Sequence, residues 1–221
     1  MASGPDVPVT VLPIGLFVGS FPGDVDDDAE LRHEVRRGAD IHALSDEEFV
    51  AWVAAHGTDG TPDGGPPSRS LLERELRTQD VVDPAPILDG LLDRGLLVTV
   101  PTDEAAAVDF ARTHRVVPTM YGLGNSPEEP DLYSIGLIGS EQLRVTRAVF
   151  ELWAWSEVDD NLWSACESFA EQERDAGGDD PELCDPRRVL TGFLVALTGL
   201  LATEAAHLDV VRGNSVLEGL R

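Results

Sequence analysis

Two halves of this 221-residue chain carry the same pattern about a hundred residues apart. Asp83-Pro84, Leu88, Gly90 and Leu92 are matched 102 residues later by Asp185-Pro186, Leu190, Gly192 and Leu194. Leu44-Ser45 with Phe49 and Trp52 is matched by Val145-Thr146 with Phe150 and Trp153. Gly95-Leu96-Leu97 returns as Gly199-Leu200-Leu201, and Glu104-Ala105-Ala106 with Asp109 as Glu204-Ala205-Ala206 with Asp209. At the front, Ile14-Gly15-Leu16 echoes Ile135-Gly136-Leu137 at a larger spacing, which predicts an insertion in the first copy at Gly23–Asp28. Matches in one order at a near-constant spacing mean duplication. The copies are assigned to residues 1–114 and 115–221.

Each copy opens with extended segments and continues with helices. In the first, Val7–Ser20 is apolar but broken by Pro8 and Pro13, as in an irregular or edge strand. A short extended piece follows at Asp40–Ala43. Ser45 and Glu48 form a capping box for a helix ending at Gly57. Thr58–Pro67 is a Gly/Pro/Asp loop. A second helix starts at Ser68 or Ser70. A third starts at Asp83, with Pro84 at its first position, buries Ile87, Leu88, Leu91 and Leu92, and runs into a strand at Leu96–Val100. A helix capped by Thr102 leads to the second copy, where strands at Arg115–Gly124 and Asp131–Gly139 precede helices at Val149–Trp155, Asn161–Ala176 and from Asp185. There Ala202–Val211 is expected to be helical, so that the second copy lacks the strand of the first. The expected fold is α+β, mainly helical: two tandem winged-helix-like repeats with small β-hairpins.

Three short helices running into a strand resemble winged helix-turn-helix domains. The strands-then-three-helices order, with acidic charge, is also similar to PqqD-like peptide-recognition domains. That resemblance implies a peptide added as a strand beside the small sheet and resting on the third helix, here near Leu88, Leu91 and Leu92.

Charge narrows the function. Against 41 acidic residues stand 16 basic ones, all arginine, for a net charge of −25. Such a chain repels nucleic acid unless one basic face is set into the acidic envelope. The arginine-only usage fits a GC-rich coding bias, and the acidity also fits a halophile's surface. There is no apolar run long enough to span a membrane and no secretory signal pattern. Two isolated cysteines, Cys166 and Cys184, form no disulfide framework, and the expected compartment is the cytoplasm.

No catalytic constellation is evident. His33, His42, His56, His114 and His207 lack metal-ligand spacing, and Cys166 reads as core. Gly122-Leu123-Gly124 does not open a helix and makes no phosphate cradle. Asp26-Asp27-Asp28 and Asp159-Asp160 read as solvated loop acids. No cofactor and no metal is expected. Trp153 reads as core, whereas Trp155, aligned with Ala54, is the candidate for a contact between the copies or with a partner. Arg69, Arg74, Arg77 and Arg94 would touch phosphates if the first copy bound DNA, but Asp83, Asp89 and Asp93 oppose that.

The leading expectation is a non-enzymatic cytoplasmic interaction module that binds a peptide or protein partner, or a second copy of itself, through a winged-helix groove. The alternatives are a DNA-binding regulator and a small-molecule binder or enzyme using the cleft between the repeats.

Overall fold

A computed structural model describes residues 9–22, 31–57 and 67–211. The expected insertion at Gly23–Asp28, the loop acids Asp26–Asp28, residues 58–66 of the expected loop and the tail from Arg212 lie outside the described residues. The first copy comprises β1 (Val11–Pro13), β2 (Leu16–Pro22), β3 (Leu31–Arg37), β4 (Asp40–Leu44), α1 (Asp46–Ala54), α2 (Arg69–Thr78), α3 (Pro84–Asp93) and β5 (Leu97–Thr99). Helix α4 (Glu104–Thr113) connects it to β6 (His114–Pro118), β7 (Tyr121–Gly124), β8 (Leu132–Leu137), β9 (Ser140–Thr146), α5 (Arg147–Trp155), α6 (Leu162–Asp175), α7 (Pro181–Cys184), α8 (Pro186–Ala202) and β10 (Ala206–Val210).

The same pairing recurs in both halves. Each copy has an antiparallel three-stranded sheet, β2-β3-β4 or β7-β8-β9, and a two-stranded ribbon, β1-β5 or β6-β10. The two sheets even share a bulge: register shifts between Phe17 and Gly19 in one, and between Gly122 and Gly124 in the other. That equivalence sets the leading segments 105 residues apart. Ile135-Gly136 belongs to β8, the counterpart of β3, so its likeness to Ile14-Gly15 does not mark equivalent positions.

The fold is α+β but not mainly helical: 45% of the described residues are helical and 29% are strand. Three strands depart from the expected pattern. β3 and β9 are polar strands with one buried face, so few of their residues signal burial. β10 replaces the expected helix at Ala202–Val211, so the second copy has its strand after all. Nor is there a wing-like hairpin after the third helix: β5 pairs with β1 at the head of its own unit, and β10 pairs with β6.

Helix starts follow local chemistry. Ser45 and Glu48 form the expected capping box, and Asn161 and Ser164 form another on α6. Asp103, not Thr102, caps α4 through the Ala106 N–H. Tryptophans brace both copies. Trp52 Nε1 donates to the Ile14 carbonyl at 3.2 Å and Trp153 Nε1 to the Ala205 carbonyl at 2.9 Å.

Two apolar cores share a wall, the β1-β5 ribbon. Val11 and Leu97 face the first core, with Leu72, Leu88 and Trp52. Leu12, Ile14, Val98 and Val100 face the second, with Phe193, Leu197 and Trp163. A strand buried on both faces reads as a continuous apolar run, which is what Val11-Leu12-Pro13-Ile14 is. Val108, Phe110 and Ala111 of α4 also enter the second core.

Candidate functional site

The copies differ most where their third helix meets the edge strand of the sheet. In the first copy this gap is plugged. Arg94, at the C-cap of α3, donates to Glu48 at 2.9 Å and to the Ala43 carbonyl of edge strand β4 at 2.7 Å. Charge-assisted bonds of this kind are strong enough to hold a side chain across a groove. Glu48 is itself fixed by the Ser45 capping box.

In the second copy both plugging residues are gone. Val149 occupies the third position of α5, as Glu48 does in α1; counted from Pro186 the place of Arg94 falls on Ala196, and counted back from Gly199, the match of Gly95, it falls on Thr198, neither of them charged. Ala43 pairs with Glu34 of β3, and its counterpart Arg144 pairs with Ser134 of β8. A groove of about 650 Å³ opens between edge strand β9 and α8, floored by Leu143, Val149, Leu152, Val189, Phe193 and Ala196. From Val189 to Thr203 the chain has no charged residue, and Val195 stands 76% exposed beside the groove. The rim is polar: Arg144 bonds Glu129 and Glu141, and Arg188 bonds Glu182. An apolar floor, a charged rim and a strand edge on one wall form a surface for an extended chain.

The residues singled out from the sequence are placed differently. Leu88 and Leu91 are 1% and 0% exposed. They build the first core and present no surface to a partner. Leu92 is half-buried against that core. Trp155 is 66% exposed at the end of α5, where Ala54 ends α1, and packs between no copies. Arg69 is bonded to Glu73 at 3.1 Å and to Asp89, Arg77 to Glu73 at 3.3 Å and Arg94 to Glu48. The Arg69 guanidinium holds the Asp89 carboxyl below its ordinary range. Three of the four arginines proposed for phosphate contact are thus already matched to carboxylates, and Arg74 is exposed on α2.

Sequence reading missed one constellation. Ser20 Oγ lies 2.8 Å from His33 Nδ1, and His33 Nε2 lies 2.9 Å from Asp46 Oδ1. A Ser–His–Asp line has the order of an acyl-transfer relay, but its surroundings differ. Ser20 is exposed on β2 and the Asp46 side chain is 74% exposed, so water reaches both ends of the line, although His33 between them is buried. It ties β2 and β3 to the first turn of α1, and the His33 ring stacks on Phe49 at 4.1 Å. In the second copy Tyr133 packs against Phe150 at 4.9 Å, tilted by 34° rather than stacked.

The junction between copies has its own polar seam. Asp209 of β10, 4% exposed, accepts from the Gly38 N–H at 2.7 Å, with Arg36 3.7 Å away. Beside it His207 is 6% exposed, and neither ring nitrogen has a partner among the described residues. Burial lowers its pKa to about 4. The cleft between the repeats is a groove of about 500 Å³ lined by Thr10, Pro101, Glu104, Thr191, Leu194 and Thr198. Glu104 is paired there with Arg187 at 2.8 Å.

Cys166 lies in the second core, where burial raises its thiol pKa to about 12. Among the described residues no three His, Cys, Asp or Glu side chains cluster to hold a metal ion, and no helix is long and apolar enough to cross a membrane. Comparison with protein-family models, curated proteins and solved structures finds no match to this chain.

Proposed function

We propose that this protein is a binding module that captures an extended peptide segment of a partner as an added strand on β9, beside α8. The observation that carries this reading is the exchange of Glu48 and Arg94, which close the first groove, for Val149 and Ala196, which leave the second open. Three further features support it. Among the described residues β9 is an edge strand, and an edge presents a row of backbone groups to an added strand. Alternate side chains of an added strand would face the apolar floor, which gives specificity beyond the main-chain bonds. The groove volume lies within the ordinary range for ligand sites. The likeness to PqqD-like domains points to the same mode of capture, now in the second copy rather than the first.

The test rebuilds the plug. Peptides selected from a random display library against the full chain should protect the amides of β9 from hydrogen exchange. The double substitution Val149→Glu with Ala196→Arg should remove their binding while leaving the circular dichroism unchanged. Selected peptides that bind the plugged variant as well as the original would refute the assignment.

A further inference from the structure

A second concavity lies between α5 and α6, with a volume of about 330 Å³. One wall is Trp155, 66% exposed, with Val158, 76% exposed, whereas the other three tryptophans are at most 8% exposed. Glu151, one turn before Trp155 on α5, Asp159, and Ser168, Phe169 and Gln172 of α6 complete the lining.

The charges at this pocket are unbalanced. Arg147 bonds both oxygens of Glu173 at 2.8 Å and reaches both oxygens of Glu151 at 3.2 and 3.3 Å. One guanidinium therefore serves two carboxylates. Asp159 is held by the Ser168 hydroxyl at 3.0 Å on one oxygen, and its other oxygen has no partner among the described residues. Of these groups Glu151 and Asp159 line the pocket, while Arg147, 5.9 Å from the Phe169 ring centroid, is shared between Glu151 and Glu173, so the neighbourhood carries three carboxylates against one cation. The pocket lies at the C-terminal end of α5, whose last turn has no basic residue.

The first copy lacks these features. Val50 and Ala54 stand where the second copy has Glu151 and Trp155. The corresponding hollow, about 310 Å³, is lined by Phe49, Val53, Glu75 and Gln79 among others. As in the β9 groove, it is the second copy that departs from a plain packing seam.

The geometry points to an arginine side chain of a partner polypeptide as the occupant of this pocket. The guanidinium is planar and stacks on an indole face while its edge donates to carboxylates. Trp155 supplies the face, and Asp159, already oriented by Ser168, supplies the acceptor. This site stands independently of the β9 groove, although Leu152 backs both.

The test uses the full chain with N-acetyl-arginine amide as probe and N-acetyl-citrulline amide, its neutral isostere, as control, at constant ionic strength. Trp155 dominates the acrylamide-accessible part of the tryptophan emission, because the other three indoles are buried. The arginine derivative should protect that emission saturably in the millimolar range, and the citrulline derivative should bind at least about tenfold more weakly. Asp159→Asn, which keeps the Ser168 bond, should weaken the arginine derivative several-fold. Ligand-observed saturation transfer should fade in Trp155→Ala, a substitution at an exposed position. No protection by the arginine derivative, or equal protection by the citrulline one, would overturn the proposal.

Discussion

His207 should make this protein acid-sensitive in a way one substitution removes. The imidazole is 6% exposed on β10, and neither nitrogen has a partner among the described residues. Desolvation lowers its pKa from 6.5 to about 4; Arg36 and Arg115 add to the lowering, and Asp209 and Glu157 oppose it. Because the folded pKa lies below the unfolded one, the unfolded chain binds the extra proton between these values, and stability falls as pH drops through that window. A shift of about 2.5 units corresponds to about 3 kcal/mol, nearly all of it lost between pH 7 and pH 4. That is a large share of a typical folding stability of about 5–15 kcal/mol. His207→Leu replaces the ring with an apolar side chain that needs no partner. Urea unfolding at half-unit pH steps, followed by tryptophan fluorescence, measures both proteins. His42, His56 and His114, whose pKa values burial also lowers, titrate in both and cancel in the difference. The gap between the two stability curves should widen by about 3 kcal/mol from pH 7 to pH 4, the variant becoming the more stable. Parallel curves over that range would refute the burial argument.

Two further outcomes follow from packing. At Gly122 an added Cβ would lie 2.6 Å from Phe150 Cζ, so Gly122→Ala should cost about 1–3 kcal/mol by overpacking, read as a lower urea midpoint at unchanged slope. In native protein only one of the two thiols should react with a disulfide reagent at pH 8: Cys184, part-exposed, while Cys166 is buried with its pKa at about 12 and should react only on unfolding.

Much of the scaffold is legible in the sequence because it is written locally. The Ser45–Glu48 box, Pro84 after Asp83 and the apolar spacing of the third helices all act within a few residues. The strands are less legible. β3 reads Leu-Arg-His-Glu-Val-Arg-Arg, in which only His33 and Val35 are buried, so alternation barely shows. β10 misleads for the opposite reason: Ala206, His207, Leu208 and Asp209 are all buried, so the strand has no polar face and passes for a helix turn. The groove was missed because it is a difference between copies. Conserved positions mark the duplication; the changed pair, Glu48 to Val149 and Arg94 to Ala196, marks where the second copy opened. Trp155 stood out for that reason, as the residue without an aromatic counterpart.

The β1-β5 wall also bears on how this chain could have evolved. Leu12 and Ile14 are buried in the core that the other copy mainly builds, with Phe193, Leu197 and Trp163. Freeing the first unit would return both to water at about 1.5–3 kcal/mol each, a sizeable part of what holds a small domain together. Once that seam had formed, losing either half became a folding defect rather than a simplification. Redundancy was then locked in and selection could treat the halves unequally. One half has its groove sealed by an ion pair and can serve as a buttress, while the other presents an open strand edge.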